Sequence, residues 1–372
     1  MYKVFFGLLL VLIVSGCSQN ISQDDGSPDM QALSGDDVSI DAAEQVWEIE
    51  QESVMSLEDD FFSDEPDVVD ASKEQYFLSD GLQADTSKKI IDFADILDGW
   101  PGKDGIPSID YPIFVSQDDP SNNYLSTDSQ GILLIIDDVK RWYPYNILNW
   151  HEIVNDTFLV NGEEIHVAVT FCPLCGSAIV FDRVVDWVIL SFGVSWKLYN
   201  SNLLMYDRTT ESLWSQTLGQ AVVGDYVGTK LSIIDSNVIS WSELETHHLD
   251  AMVLSTDTGR PRNYSSSSPY GSYDTNERLY FPVANMEDAR LPLKEMLYVT
   301  NIADGVSIAF VLAELRNQLS GRLLVDDDEY IAYYEDAEYR IIWPDGDELP
   351  GFFEMWFSWA NKHPGSSYIW IE

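Results

Sequence analysis

Leu159-Val160-Asn161-Gly162-Glu163-Glu164-Ile165-His166 places an Asn-Gly pair between two runs of β-prone residues. Asn-Gly is a strong signal for a two-residue hairpin loop, because both residues accept the positive φ angles of a type I′ turn. With this loop, Val160 faces Glu163 and Asp156 faces Val167. The stretch therefore predicts an antiparallel pair of strands in the middle of the chain.

Further short segments extend this pattern into a fold class. β-prone runs occur at 132–136, 165–169, 187–192 and 231–234. The helix signals are Pro144 at a helix start with Ile147, His151 and Val154 on one face, a capping box from Ser240 to Glu243, and segment 352–362. The mixture predicts an α+β fold with mostly antiparallel sheet and a few short helices.

The chain also repeats itself faintly. Segment 159–168 resembles 324–333, and each follows a stretch of similar shape, 139–148 and 306–315. The pairs Trp241/His248 and Trp356/His363 have the same spacing and fall in the same order. We hypothesise two degenerate copies of one α+β unit, 125–255 and 290–372, of which the second lacks the cysteines. Chance similarity between short apolar patterns is the alternative.

The N-terminus has the form of an export signal. Lys3 precedes an apolar run, and Val14-Ser15-Gly16-Cys17 reads as a lipobox, in which the cysteine is lipidated. The apolar run is too short to span a bilayer as a helix. We expect a lipoprotein signal peptide over 1–16 and lipidation of Cys17, so that the exported protein is anchored by lipid to the cell envelope. Because Ser18 and not an aspartate follows Cys17, we expect the lipid anchor to lie in the outer membrane if the cell is Gram-negative. The alternative to the lipobox is an ordinary cleaved signal peptide with an incidental cysteine.

Charge separates the rest of the chain into two parts. Residues 18–80 carry nineteen acidic residues but a single lysine, Lys73. Such a segment cannot bury enough apolar surface to offset its conformational entropy. We expect an acidic disordered tether over 17–85, or alternatively an acidic arm for a cationic partner, followed by a globular domain over 86–372. A net charge of −43 argues against a nucleic-acid partner.

The chemistry is concentrated in Cys172-Pro173-Leu174-Cys175-Gly176, which holds the two cysteines that follow Cys17. Extending the hairpin register brings Cys172 level with His151. Three chemistries compete for this motif. A metal site for copper or zinc would use Cys172, Cys175 and His151, with another histidine, a carboxylate or Met205 to complete it.

The other two chemistries need no metal. A redox dithiol would make Cys172 and Cys175 catalytic, although the segment that follows is too β-prone for the long helix that usually lowers a cysteine pKa. A structural disulfide would close a very small loop. A separate group, Asp207, Arg208, Glu211 and Gln216, forms a candidate polar ligand cluster, with a buried ion pair and turn residues as the alternative.

Several ordered blocks resemble the prokaryotic family called domain of unknown function 3179. They are 149–156, 169–176, 181–183, 198–201, 205–208, 211–216, and Arg262, Tyr264, Pro269, Tyr270 and Tyr273, within about residues 125–372. The resemblance implies that the cysteine motif and the His151 block belong to one shared site, and it implies no activity. The chain departs from the family at Trp196, where a glycine is usual, at His248-Leu249-Asp250 and at 265–268.

The leading hypothesis is a lipid-anchored envelope protein that binds a transition metal. A thiol–disulfide oxidoreductase and a non-catalytic surface module with a structural disulfide are the alternatives. The sequence leaves the partner open between a protein and a small molecule.

Overall fold

The computed structural model describes residues 81–99, 102–265 and 268–371. The predicted signal peptide, the lipidation site Cys17 and residues 17–80 of the predicted tether lie outside these ranges and remain predictions. In the part that is described, no helix has the length and apolarity that crossing a membrane requires.

Short strands dominate the described residues. In chain order they are β1 (Ile96–Asp98), β2 (Phe114–Val115), β3 (Gln130–Ile136), β4 (Val139–Pro144), β5 (Ile153–Val160), β6 (Glu163–Cys172), β7 (Ser177–Asp182), β8 (Val184–Val185), β9 (Val188–Ile189), β10 (Phe192–Tyr199), β11 (Asn202–Asp207), β12 (Leu213–Ser215), β13 (Gln220–Val223), β14 (Ile233–Ile234), β15 (Asn237–Ser240), β16 (Met252–Leu254), β17 (Met296–Ala303), β18 (Val306–Val311), β19 (Ser320–Val325), β20 (Asp328–Glu335), β21 (Glu338–Ile342), β22 (Glu348–Leu349), β23 (Phe352–Met355) and β24 (Ile369–Trp370). The α-helices are α1 (Tyr145–His151), α2 (Trp241–His247), α3 (Leu312–Gln318) and α4 (Trp356–Lys362). Short 3-10 helices cover Phe93–Asp95, Pro120–Tyr124 and Tyr273–Thr275.

The strands pair mainly antiparallel. The largest sheet has the order β24-β18-β17-β23-β7-β6-β5, with β14 also paired to β7. The other sheets are β1-β10-β11-β12-β13, β15-β3-β4-β16-β2, β19-β20-β21-β22 and β8-β9. Of the pairings between these strands, β4 with β16 and β18 with β24 are parallel. The prediction of mostly antiparallel sheet with a few short helices is confirmed.

The central hairpin forms in the predicted register. Val160 pairs with Glu163 and Asp156 with Val167, around a loop in which Asn161 has a φ of 53°. The Asn-Gly loop fixes the register because few other residue pairs accept positive φ at both positions. The ladder continues to Ile153, so the helix that precedes β5 ends close to the far end of β6.

Two helix starts also follow their sequence signals. Helix α1 begins after Pro144, whose φ of −62° already suits a helix start. Helix α2 begins after Ser240, and both hydrogen bonds of its capping box are present. Helix α1 ends sooner than the apolar face suggested, because Glu152 takes the left-handed conformation at φ 56°. Val154 therefore lies in β5 and not on the helix.

Two segment predictions need correction. The predicted helix over 352–362 is half strand: Phe352–Met355 is β23, and the helix itself is Trp356–Lys362. All four residues of β23 are buried between β17 and β7. Three of them, Phe352, Phe353 and Met355, are apolar, and a short, mostly apolar run is typical of such a strand. The run 187–192 is not one strand but is divided between β9 and β10.

The element order of the two hypothesised units is the same. The first unit has a β-hairpin (β3–β4), a helix (α1) and a second hairpin (β5–β6), and the second unit has β17–β18, α3 and β19–β20. In the first unit, β15 pairs antiparallel with β3 and leads into α2, and the next strand, β16, is parallel to β4. In the second unit, β23 pairs antiparallel with β17 and leads into α4, and the next strand, β24, is parallel to β18. Relatedness of the two units stays a hypothesis, which superposition of their backbones would test.

Strand β7 joins the two units. It continues the hairpin of the first unit, yet it also pairs with β23 of the second, through Ala178 and Phe353. The turn before β7 therefore lies where the first unit meets the start of helix α4. That turn holds Cys172 and Cys175.

Candidate functional site

The cysteine turn is tightly fixed on all sides. It connects β6 to β7, and the backbone N–H of Cys175 donates to the carbonyl oxygen of Cys172 at 3.3 Å. Gly176 has a left-handed φ of 59°, and a Cβ there would lie 3.0 Å from the sulfur of Met296. Glycine suits this position because it carries no side chain and tolerates positive φ.

Neighbouring groups hold the turn from outside. The backbone N–H of Met355, at the end of β23, donates to the carbonyl oxygen of Cys175 at 2.8 Å. The hydroxyl of Tyr273 donates to the carbonyl oxygen of Leu174 at 2.6 Å. The positions of the two sulfur atoms are therefore set by contacts from several elements.

Both cysteines are buried free thiols. Cys172 is 2% exposed and Cys175 0% exposed. The side-chain amide of Asn202 donates to Cys175 Sγ at 3.0 Å. The hydroxyl of Ser177 also lies 3.0 Å from this sulfur. Polar groups therefore surround Cys175 although no solvent reaches it.

A buried amide network orients these polar groups. The Gln216 Nε2 group donates to Thr170 Oγ1 at 3.0 Å and to the Ser177 carbonyl oxygen at 3.1 Å, which fixes the direction of its amide. Gln216 Oε1 then accepts from Asn202 and from the Ser177 hydroxyl. Because the Ser177 proton is directed to Gln216, Asn202 is the more constant donor to Cys175. Ser177 can donate to the sulfur only by turning away from Gln216.

The two thiols have opposite pKa shifts. Burial, together with the hydrogen bond and charge of Cys175, raises the pKa of Cys172 well above its usual range. Burial also acts to raise the pKa of Cys175, but hydrogen bonds, those from Cys172 and Asn202 among them, outweigh it, so the net shift is downward. Cys175 is therefore the thiol that loses its proton first, while Cys172 keeps its own proton and donates to it.

A buried carboxyl group lies close to the thiols. Glu152 is 6% exposed and accepts a hydrogen bond from the Tyr270 hydroxyl at 2.6 Å. Burial raises the pKa of Glu152 to about 8, and the charge of Cys175 adds to this shift. At neutral pH the group is protonated and adds no negative charge beside the thiolate.

His151 has other partners for both ring nitrogens. Nδ1 lies 2.7 Å from the Pro107 carbonyl oxygen, and Nε2 lies 2.6 Å from the Tyr264 hydroxyl. Burial lowers the pKa of His151 to about 4, so the ring is neutral. Since a carbonyl oxygen only accepts, Nδ1 carries the proton and Nε2 accepts from Tyr264. To ligate a metal, Nε2 would have to give up Tyr264.

The structure separates the members of the predicted polar cluster. Gln216 belongs to the thiol network, while Asp207 accepts from the backbone of Thr210 and from Trp214 Nε1. Arg208 and Glu211 face the N-terminal segment of the described residues, where they contact Asp104 and Lys103 respectively. These contacts connect β11 to the turn that follows it and to the segment that holds Lys103 and Asp104. The three residues Asp207, Arg208 and Glu211 therefore lie outside the thiol network. Met205 is buried within β11.

Metal coordination by the commonest ligand types has little support here. Across residues 81–99, 102–265 and 268–371, no group of three or more His, Cys, Asp or Glu side chains is arranged to hold a metal ion. The assignment of Cys172, Cys175 and His151 as a ligand set stays a prediction.

Sequence reasoning missed Glu152, Asn202 and Ser177. Glu152 follows His151 directly, and the hairpin register that pointed to His151 also brings this next residue to the thiols. Asn202 comes from β11, which is distant in sequence and is placed by the packing of one sheet on another. No spacing in the sequence indicates that contact.

A family model described as a protein of unknown function (DUF3179) matches residues 103–345. The match includes Glu152, both cysteines of the turn, Asn202 and Tyr270, and it covers well over half of the chain. No curated protein and no solved structure matches. The chain belongs to the DUF3179 family of proteins of unknown function.

Proposed function

We propose that Cys172 and Cys175 form a redox-active dithiol that cycles with a disulfide. The observation that carries this proposal is the hydrogen bond from Asn202 Nδ2 to the buried Cys175 Sγ at 3.0 Å. A donor aimed at a sulfur atom favours the thiolate over the thiol, and the thiolate is the reactive form of cysteine. The neighbouring Cys172 supplies the second thiol of the pair.

The surroundings suit two-electron chemistry. Oxidation of the pair forms one S–S bond and releases two protons and two electrons, which an external small-molecule oxidant must accept. The charges of Glu152 and the thiols affect each other's pKa values. A protonated Glu152 therefore avoids a second negative charge in the buried site while Cys175 is ionised. Burial of both sulfur atoms favours small oxidants and reductants over protein substrates.

The test is a redox titration of the mature protein in buffers of defined thiol–disulfide ratio. Samples are acid-quenched, alkylated and mapped by peptide mass. We expect an internal disulfide between Cys172 and Cys175, with a disulfide-to-dithiol ratio that changes tenfold per about 30 mV, as a two-electron couple requires. A pair that stays reduced, or stays oxidised, across the whole range would disprove the proposal. The variant Cys172→Ser is the control that cannot form the bond.

Binding of a soft metal ion is the second candidate. It is favoured by the Met296 sulfur and the Met355 side chain, both of which lie 3.0 Å from where a Cβ of Gly176 would be. Thiolates and thioethers together suit copper(I) better than zinc, which commonly takes four Cys or His ligands. Copper and zinc content of the same reduced, anaerobic samples decides between the candidates: stoichiometric metal that Cys175→Ser abolishes would favour this one.

We also propose that the domain acts in the cell envelope, held there by a lipid on Cys17. The lipobox 14–17 supports this location. A buried dithiol with a local carboxyl group suits an exported protein, because thiols outside the cytoplasm are exposed to oxidants.

A further inference from the structure

The hairpin of β8 and β9 carries an exposed apolar tip. These two strands pair with each other and with no other strand of the described residues. The loop between them is Asp186 and Trp187, and Trp187 is 97% exposed. The apolar side chains that are exposed at this end of the hairpin form what we call the tip patch: Val184, Trp187, Val188 and Ile189.

The backbone at Trp187 adds to the cost of exposing its side chain. Trp187 has a φ of 67° and Asp186 a φ of 47°, as a type I′ turn requires. Asn and Gly favour these positions, whereas a positive φ is an outlier for a bulky residue. A tryptophan here therefore stabilises neither the turn nor the core. Since contiguous exposed apolar side chains mark interaction sites, the tip patch indicates a partner outside the described fold.

The charged groups of the hairpin disfavour an anionic partner. Asp186 is exposed in the loop. The one basic residue in segment 182–190 is Arg183, and its guanidinium donates to the carbonyl oxygens of Leu190 at 2.7 Å and of Asp156 at 3.3 Å. The hairpin therefore offers no free basic group, which adhesion to anionic lipid requires. A surface without net charge suits the tip patch better.

The size of the tip patch favours a membrane over a protein surface. A stable protein interface buries about 800 Å² on each partner. A tryptophan buries about 150–250 Å², and the three aliphatic side chains beside Trp187 are smaller and partly covered. Tryptophan is also enriched at the interface between lipid and water, because its apolar rings carry a polar N–H group. The tip patch thus suits shallow insertion between lipid headgroups.

The chain outside the described residues leads to a membrane. Residues 17–80 connect the described part of the chain to Cys17, the predicted lipidation site. Even fully extended, this segment spans at most ~200 Å, so it keeps the hairpin near the lipid. Confinement near a bilayer raises the effective concentration of the hairpin, so that a weak second contact can form.

We propose that the tip patch inserts into the headgroup region of a zwitterionic lipid bilayer, as a second membrane contact beside the lipid on Cys17. The inference rests on the proposed location in the cell envelope and does not depend on the redox chemistry. Trp187 lies at the level of the headgroups, where Asp186 stays hydrated, because a charge in the hydrocarbon core is costly. The two contacts together hold the domain in one orientation against the membrane.

The first experiment measures side-chain exposure in the full-length protein, acylated in cells and reconstituted into phosphatidylcholine vesicles. Hydroxyl-radical labelling, read by peptide mass, is compared with the mature chain 17–372 made without acyl groups and free in buffer. We expect the labelling of Trp187 to fall several-fold on the vesicles, while the exposed Leu249 is labelled equally in both samples. Unchanged labelling of Trp187 would overturn the inference. The mass of the N-terminal peptide reports acylation separately, so failure of the anchor is distinguished from failure of the tip contact.

The second experiment needs no anchor and measures flotation of the unacylated mature chain with phosphatidylcholine vesicles. Trp187→Gly removes most of the apolar area of the tip patch, so we expect its vesicle affinity to fall at least about tenfold. Glycine also suits a φ of 67°, so the urea midpoint of this variant should not fall. Trp187→Asn serves if the glycine variant does not fold. Leu249→Ser is the matched control and should bind like the wild type.

The choice of lipid and of partner is tested in the same samples. Phosphatidylglycerol vesicles should bind the wild type less than phosphatidylcholine vesicles, because the hairpin offers no free basic group. Equal binding of the wild type and Trp187→Gly to phosphatidylcholine, or tighter binding of the wild type to phosphatidylglycerol, would overturn the inference. Protection of Trp187 in buffer that grows with protein concentration would assign the tip patch to a second copy of the chain and would overturn it as well.

Discussion

Replacing Cys175 by serine is expected to remove nearly all reactivity of the native protein toward a small alkylating reagent at pH 7, whereas replacing Cys172 is expected to preserve most of it. The two thiols differ in the direction of their pKa shifts: burial and the partner thiol raise that of Cys172, and converging hydrogen bonds lower that of Cys175. The thiol with the lower pKa holds the larger thiolate fraction at pH 7, and the thiolate is the form that reacts.

The two serine variants are expected to behave differently. In Cys172→Ser, the new hydroxyl can still donate to the Cys175 sulfur, and Asn202 remains in place. In Cys175→Ser, the hydrogen bond and charge of Cys175 no longer raise the pKa of Cys172, but burial, the largest cause of the rise, remains. The initial alkylation rate, measured by peptide mass at residues 172 and 175, should be much higher in Cys172→Ser than in Cys175→Ser. Similar rates, or faster alkylation of Cys172, would show that the assignment is wrong.

Replacing Glu152 by glutamine is expected to stabilise the protein at pH 8 and to change its stability little at pH 4. Burial raises the pKa of Glu152 from its ordinary value of 4.5 to about 8 in the folded protein. Between these two values the folded state keeps a proton that the unfolded state has released. The free energy of unfolding therefore falls as pH rises through this window, by up to about 1.4 kcal/mol per pH unit from this group.

Glutamine has the same shape, keeps an acceptor for the Tyr270 hydroxyl and cannot ionise. We therefore expect Glu152→Gln to exceed the wild type by about 2–4 kcal/mol at pH 8, with the difference disappearing toward pH 4. Urea unfolding at several pH values measures this difference. Glu245→Gln, at an exposed position of helix α2, is the matched control and should show no such trend. A Glu152→Gln variant that is less stable than the wild type at every pH would contradict the raised pKa.

Local signals predicted the parts of the fold that local chemistry controls. Asn161 and Gly162 fixed the central hairpin because their backbone preferences select one loop type. Ser240 and Glu243 fixed the start of helix α2 because both capping contacts are made within a single turn. In each case the interaction partners are a few residues apart, so the sequence contains the whole interaction.

The failures have tertiary causes. The segment 352–362 has enough apolar residues for a helix, but β17 and β7 take up its first four residues as a strand. Trp196 is a related case: it has a φ of 60° at a β-bulge between Val194 and Lys197, which accounts for the glycine expected there from the family resemblance. Neither outcome can be derived without the neighbouring strands.

The sequence indicated only part of the surroundings of the thiols, because the other contacts depend on tertiary packing. The hairpin register led to the correct end of the sheet but selected His151, whose ring nitrogens contact Pro107 and Tyr264. The next residue, Glu152, is the one whose charge is coupled to the thiols. Asn202 comes from a different sheet, so its contact with Cys175 depends on how the sheets pack.

The central claim is that Cys172 and Cys175 cycle between dithiol and disulfide, and the most direct measurement of it is their state in living cells. Cells that produce the full-length protein receive a pulse of hydrogen peroxide, and samples are acid-quenched and alkylated before, during and after the pulse. We expect the disulfide fraction to rise during the pulse and to return to its starting value after it. A pair that stays in one state throughout, whether dithiol or disulfide, would contradict the account.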